Sequence, residues 1–252
     1  MNYQPRTYRK QFNRERFHTF TIQHLESDIL VGIDHAANNE AIGGGLKKRC
    51  LQRIKDTRIT VESYGARRPG FIESHEPISL DPAAPSIVKE MMACGIKSAT
   101  GPMAAIAGLF ARETARELKQ SLALSELIVE NGGDIFLINK NRLLMTVYAG
   151  SSPLSNKLAI EIPAGEWGIS TSSGTLGHSF SYGKADAATI ICKDPLLSDA
   201  WATSIANRVQ GEDDIESVLA FTETIPEILC CMIICGERLG VRGEFTIKPV
   251  NH

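Results

Sequence analysis

The sequence predicts an α+β fold, on three observations. Short β-prone runs are separated by tight-turn signals at Asn131-Gly132-Gly133-Asp134 and at Asn139-Lys140-Asn141. Other stretches repeat apolar residues at four-residue steps, the period of a helix packed on one side. With 252 residues and 43% hydrophobic content, the chain can bury a full core, either as one large domain or as two intimately packed halves.

The elements follow in order. A basic cluster, Arg6, Arg9, Lys10, Arg14 and Arg16, opens the chain, and no apolar segment follows it as a signal peptide would require. Residues 17–23 alternate as a strand, with 28–33 as its hairpin partner. Ile42, Leu46, Cys50 and Ile54 then mark a helix within 36–65. Gly43-Gly44-Gly45 would cost that helix roughly 2 to 3 kcal/mol relative to alanine, so a start near Gly45 is expected. Arg67-Arg68-Pro69 closes it, and the segment up to Pro85, rich in Pro, Ser and Glu, reads as a loop. A short helix over 85–93 is expected to stop at Cys94-Gly95. A longer one covers 103–122, with Thr100 as a cap and Pro102 in the first turn. Small residues at that start could admit an anion to free N–H groups, or the helix could bind only its own cap.

Residues 127–129, 135–138 and 143–148 read as strands around the two turns. The Asn131-Gly132-Gly133-Asp134 segment is a tight turn with residues at positive φ; as a site, its paired glycines let a flat ring or a phosphate reach the backbone, with Asp134 accepting hydrogen bonds. Leu158, Ile160 and Ile162 alternate as an edge strand. A further strand from Trp167 runs into a segment dense in hydroxyls and glycine, where Ser172, Ser173, Gly174 and Thr175 form either a phosphate-binding loop or an ordinary polar one. His178 in that segment is an acid, a base or a phosphate contact, or else an ordinary surface histidine.

An apolar β run over 187–192 turns at Asp194-Pro195 into a helix whose Leu197, Trp201 and Ile205 share one face. Asp199, Thr203 and Asn207 line another ridge, again at four-residue steps. A carboxylate and a hydroxyl one turn apart suit a hard cation such as Mg²⁺ beside a phosphate; the alternative is a helix with its polar side in water. Residues 215–221 form a helix, 228–235 a buried strand carrying Cys230, Cys231 and Cys235, and 244–250 its expected hairpin mate.

Composition narrows the function. A net charge of −2 draws the protein to neither nucleic acid nor an acidic membrane, and no window is long and apolar enough to span one. Six cysteines without a CxxC pair suit a reducing compartment, so a soluble cytoplasmic protein is expected.

Three of these segments, taken in order, resemble the ApbE family of flavin transferases, which split FAD and attach FMN to a protein threonine. They are Asn131-Gly132-Gly133-Asp134, Ser172-Ser173-Gly174 with His178, and Ser198-Asp199-Ala200-Trp201-Ala202-Thr203, and their order matches across residues 104–209. Residues 20–30 and 174–187 resemble, more closely, an uncharacterised cytoplasmic family within that superfamily. The resemblance implies one domain over 1–252 made of two interlocked halves around a flavin-sized cleft, with antiparallel sheets packed against helices. It also implies Mg²⁺ held by Asp199 and Thr203 against a pyrophosphate, His178 near the reacting phosphate, and FAD as substrate or ligand. An acceptor protein would be the partner of a transfer. Where transferases follow the histidine with an I-D-P-x-T-G run, this chain has Ser179-Phe180-Ser181-Tyr182-Gly183-Lys184-Ala185-Asp186. The alternatives are therefore a non-catalytic ligand-binding paralogue, or a factor in sulfur assimilation in anaerobes acting through one or more of the cysteines.

Overall fold

A computed structural model describes residues 16–34, 44–175 and 182–250. The chain opens with a hairpin, β1 (Phe17–His24) and β2 (Ser27–Asp34), followed by the long helix α1 (Gly44–Arg67), which starts where the glycine run predicts. Then come α2 (Ser86–Ser98), a 3-10 turn (Pro102–Ala105) and α3 (Ile106–Ser121). Five strands follow: β3 (Leu127–Asn131), β4 (Asp134–Asn139), β5 (Leu143–Thr146), β6 (Leu158–Ile162) and β7 (Gly165–Ser172). The last part holds β8 (Ala187–Cys192), α4 (Pro195–Arg208), α5 (Ile215–Thr222), β9 (Cys230–Cys235), β10 (Arg238–Gly243) and β11 (Thr246–Pro249).

Eight strands make one sheet in the order β1-β2-β3-β4-β7-β8-β9-β10, and each described pairing is antiparallel. A three-stranded sheet, β11-β6-β5, forms separately. Period-two alternation sorts the side chains of the large sheet between two cores. Ile29, Val31 and Ile33 of β2, with Leu127 and Val129 of β3, pack on Leu46, Cys50 and Ile54 of α1 and on Phe110 and Leu118 of α3. Further along the same face, Ile190 and Ile233 meet Trp201 and Ile205 of α4 and Val218 of α5. On the other face, Ile128, Leu137, Ile169, Ile191 and Met232 meet Ile160 and Ile162 of the small sheet. Helices, large sheet and small sheet thus stack as three layers, which confirms the α+β class. The central strands are covered on both faces, which is why they read as unbroken apolar runs.

Three local expectations need correction. The helix α2 does not stop at Cys94-Gly95 but continues to Ser98 and ends at Ala99, whose φ of 57° is left-handed. Gly95 stays inside it because a Cβ there would stand 2.7 Å from the Thr100 carbonyl oxygen, so the glycine marks a close approach and not a stop. Thr100 does not cap α3: it is buried, with its hydroxyl 2.7 Å from that of Ser98, and the 3-10 turn beginning at Pro102 precedes the helix. Finally, the hairpin mate of β9 is β10, joined through Gly236 at a φ of 59°, and residues 246–249 instead cross to pair with β6. A β-prone run reveals a strand but not its neighbour, and the glycine nearest to β9 won the turn.

All six cysteines are buried as the apolar runs imply. Burial pushes the thiols of Cys50, Cys94, Cys230 and Cys231 up to about 12, so none of these four is poised as a thiolate near neutral pH.

Candidate functional site

The site is built from the middle of the large sheet. Asn131 and Asp134 face each other across the β3–β4 turn, with Gly132 at a φ of 72° and Gly133 at 110°. Two successive positive φ values give the turn whose twist suits a two-residue hairpin. Directly opposed residues share a sheet face, so Asn131, Asp134 and its other neighbour Ser170 all project toward the helices. There Asn131 Nδ2 donates to the Ala107 carbonyl at 3.3 Å, tying the turn to the start of α3.

The helix α4 is delivered to the same point by its own start signals. Asp194 Oδ1 accepts from the Leu196 amide at 3.0 Å, an N-cap, and Pro195 takes the first helical position. Two glycines let Pro195 come close. A Cβ at Gly168 of β7 would lie 2.4 Å from the Pro195 nitrogen, and one at Gly108 of α3 would lie 2.2 Å from its carbonyl oxygen. One turn on, the hydroxyls of Ser198 and Ser170 stand 2.8 Å apart.

Asp199 then faces the start of α3, where its Oδ2 accepts from the Gly108 amide at 2.8 Å and its carboxyl also takes the Ala107 amide. It shares a further hydrogen bond with the carboxyl of Asp134. Asp199 is buried while Asp134 is half-buried and the Gly132 tip is exposed, so the pair lies just beneath a surface turn. Burial, and then the neighbouring charge of Asp134, hold the Asp199 carboxyl well above the ordinary carboxylate range of 3.8; the two amide donors offset only part of this. Two carboxyls in contact in so dry a place cannot both carry charge without a proton or a cation between them.

The donor chemistry suits a hard cation. Asp199, Asp134 and the half-buried Thr203 one turn further on supply only oxygen, and no group of three or more His, Cys, Asp or Glu able to hold a metal occurs among the described residues. A softer metal would want nitrogen or sulfur ligands, whereas Mg²⁺ accepts few protein oxygens and completes its shell from water or phosphate.

The hydroxyl-rich loop adjoins this cluster. The Thr171 amide donates to the Gly133 carbonyl at 3.2 Å, so the end of β7 that leads into the loop borders the turn. Ser172 ends β7 opposite Ala188, and Gly174 donates to the Ala185 carbonyl at 2.8 Å. The Thr175 amide donates to Ser173 Oγ at 3.1 Å, and its hydroxyl reaches Asp186 Oδ1 at 3.0 Å. Asp186 Oδ2 in turn accepts from the Gly236 amide, at 2.8 Å. The late helix and the double-glycine turn are therefore brought together at Asp199 and Asp134, and the small-residue loop continues the strand that borders the turn. Thr100 does not join the group through its hydroxyl, which Ser98 engages, and His178 lies outside the described residues.

Sequence reasoning passed over four contributors. Gly108 carried a weak signal, a glycine inside a helical run; Ser198 and Ser170 carried none that would pair them. Glu130 is buried on β3, and its Oε1 accepts from the Gly133 amide at 3.1 Å. Replacing it by Ala should lower stability by about 1–3 kcal/mol by removing a charged partner from a turn amide. Glu130→Gln, which keeps an acceptor, should restore most of the loss in thermal denaturation.

Two surface clefts, of about 460 and 480 Å³, lie elsewhere. One is bounded by Lys140, Arg142 and Thr246, the other by Arg68, Glu73 and Ser74, and neither is lined by Asp134 or Asp199.

No helix among the described residues is long and apolar enough to cross a membrane. Over 197 residues the chain is 36% identical to a UPF0280 protein of Methanocella arvoryzae, covering 77% of this chain and 80% of the relative. It is 35% identical to a UPF0280 protein of Methanococcus maripaludis over 225 residues, covering 87% of each. In fold it is similar to the apo flavinyl transferase ApbE of Pseudomonas stutzeri, with a TM-score of 0.58 and 14% identity over 90% of this chain and 94% of that one. A mutant of the flavin transferase ApbE from Vibrio cholerae is similar with a TM-score of 0.56 and 15% identity over 92% and 96%. The family model described as AbpE bacteria matches residues 9–223, and with it the chain belongs to this ApbE-like family.

Proposed function

We propose that this protein binds a flavin nucleotide, with FAD as ligand or substrate, together with Mg²⁺ at the Asp134–Asp199 cluster, and that it acts at the FAD pyrophosphate by cleavage or transfer. The observation that carries this reading is the meeting of Asp134 and Asp199 under the double-glycine turn, which borders the strand leading into Ser172, Ser173, Gly174 and Thr175. Family membership and the likeness of fold to flavin transferases support it. The unbroken sheet from β1 to β10 supports reading the chain as one domain.

In this reading Asp199 and Thr203 hold the cation, with Asp134 beside them. A bound Mg²⁺ supplies charge neutralisation at the pyrophosphate. The amides of Ala107 and Gly108 fix the Asp199 carboxyl before ligand arrives, so little reorganisation is needed. Gly132 and Gly133 present bare backbone to the flavin ring or its ribityl-phosphate, with Asn131 and Asp134 framing the turn. The loop hydroxyls and amides bind phosphate oxygens. His178 serves as the acid or base. The task belongs to the cytoplasm, in keeping with six unpaired cysteines, and transfer would require an acceptor protein; no nucleic acid or membrane takes part.

A second reading, a paralogue that binds flavin without chemistry, is favoured by the Ser179–Asp186 segment standing where transferases carry D-P-x-T-G. One assay separates the two. Purified protein is incubated with FAD and either MgCl₂ or EDTA, and nucleotides are resolved by chromatography. Release of FMN and AMP only with MgCl₂ is expected; FAD retained intact selects the binding paralogue, and no retention of flavin at all removes both.

A further inference from the structure

We infer that the cleft bounded by Lys140, Arg142 and Thr246 is a second ligand site, built for a free α-amino acid with an apolar side chain. The site is separate from the flavin reading. Asp134 and Asn139 end the same strand, about 17 Å apart, and the cleft lies at the Asn139 end.

Its walls are the connections that join the large sheet to the small one. Residues 140–142 lead from β4 to β5, Pro163 and Ala164 lead from β6 to β7, and Glu244 and Phe245 lead from β10 to β11. The first wall is held from beneath. Glu126 Oε1 accepts from the Lys140 amide at 2.9 Å and the Asn141 amide at 3.3 Å, and Arg16, paired with Glu126, donates to the carbonyls of Asn141 at 2.6 Å and Arg142 at 3.0 Å. Buried Asn139 ties the first wall to the second, since its Nδ2 donates to the Asn141 and Pro163 carbonyls, each at 2.9 Å. Trp167 ties the second to the third: its Nε1 donates to the Pro163 carbonyl at 3.0 Å, and its ring meets that of Phe245 edge to face at 5.3 Å. The three connections are therefore fixed before any ligand arrives, which lowers the entropy cost of binding.

The side chains on these walls divide by charge. Lys140 and Glu244 are exposed, and neither makes an ion pair among the described residues. Arg142 is 75% exposed and reaches Glu161 only at 3.6 Å, while the other oxygen of Glu161 is taken by Lys248. Two cations thus stand on the first wall and one carboxylate on the third, with the half-buried Phe245 and the ring of Pro163 as apolar surface. A simple anion would be repelled by Glu244, and a simple cation by Lys140 and Arg142. A zwitterion satisfies both, its carboxylate on the cations, its ammonium on Glu244 and its side chain on Phe245. The cleft volume of about 460 Å³ lies within the range of small-molecule sites.

The test titrates three probes by saturation-transfer NMR: L-phenylalanine, 3-phenylpropionate, which lacks the ammonium, and 2-phenylethylamine, which lacks the carboxylate. Each meets wild type, the double variant Lys140→Ala/Arg142→Ala, and Glu244→Gln. The substituted side chains are exposed, and thermal melts would check that folding is kept. Wild type should bind L-phenylalanine saturably and each single-charge probe about tenfold more weakly. The double variant should lose about tenfold for L-phenylalanine and 3-phenylpropionate but not for 2-phenylethylamine. Glu244→Gln should weaken L-phenylalanine and 2-phenylethylamine and spare 3-phenylpropionate. Wild type that shows no saturable binding of L-phenylalanine overturns the site, and so do losses equal for all three probes. Binding of 3-phenylpropionate as tight as that of L-phenylalanine would overturn the zwitterion assignment. FAD enters none of these titrations, so their failure leaves the flavin reading standing.

Discussion

Asp199→Asn should abolish Mg²⁺-dependent turnover of FAD while raising the melting temperature of the metal-free protein. The side chain keeps its size, and its amide oxygen can still accept from Gly108 and Ala107. Its new N–H₂ can donate to Asp134, so a pair of carboxyls in contact becomes a carboxylate with a donor. Losing the buried anionic ligand should reduce turnover by about a hundredfold or more, the scale on which removal of a single electrostatic contact to a reacting group is felt.

The stability change has the opposite sign and depends on pH. A buried acid held above its ordinary 3.8 binds its proton more tightly in the folded chain than in the unfolded one. As pH rises through that ordinary value the unfolded state loses the proton first, so the wild type is progressively destabilised until the folded carboxyl also ionises. The advantage of Asp199→Asn in EDTA should therefore be absent below pH 3.8, where both states are protonated, and grow toward neutrality. Thermal melts at several pH values would show it. A mutant with wild-type turnover in MgCl₂ would remove Asp199 from the cation site, and one that melts lower in EDTA at neutral pH would show that the carboxyl pair is no burden.

The second large effect is expected for Gly108→Ala. A methyl group there would lie 2.2 Å from the Pro195 carbonyl oxygen, 2.7 Å from its carbon and 3.1 Å from Asp199 Cβ. Two of these three atoms are backbone, so the contact is relieved only by lifting the first turn of α4 from α3. Overpacking of this kind costs about 3 kcal/mol, which for a chain of this size corresponds to a fall of roughly 6–12 °C in melting temperature. Because the same shift withdraws Asp199 from the Gly108 amide, flavin binding should weaken in parallel. Gly45→Ala is the matched control: nothing lies within 4 Å of its Cβ position, and alanine favours a helix, so its melt should be unchanged or slightly higher. A Gly108→Ala protein as stable as wild type would show that the two helices are not locked together by this contact.

The strands and helices were legible because their signals are local. Ile29, Val31 and Ile33 alternate on β2, Leu46, Cys50 and Ile54 recur on α1, and Asp194-Pro195 announces α4 with a cap and a first-turn proline. Partnership was less legible. Residues 246–249 were readable as a strand, but nothing within them says that β6 rather than β9 is the neighbour. Likewise Gly95 carries the composition of a stop and acts as a point of contact, because the backbone that approaches it, Thr100, becomes its neighbour only when the chain folds back.

The site divides along the same line. The turn at Asn131-Gly132-Gly133-Asp134 and the ridge beginning at Asp199 were each visible, since a turn needs its glycines and a ridge its spacing. That Asp134 would meet the carboxyl of Asp199 was not visible, because it depends on β7 being inserted beside β4 and on two glycines admitting Pro195. Asp186, which secures the loop through Thr175 and Gly236, looked like one more polar residue in a small-residue run.

In the order of the large sheet, β4 and β7 occupy the two innermost places, with three strands to either side. Fraying of a sheet begins at its rims, where ladder amides face solvent, and reaches the middle only on near-global opening. The two strands that carry Asp134 and Ser170 thus belong to the portion of the molecule slowest to exchange its amide hydrogens. Thermal breathing at either rim should therefore leave the carboxyl pair undisturbed.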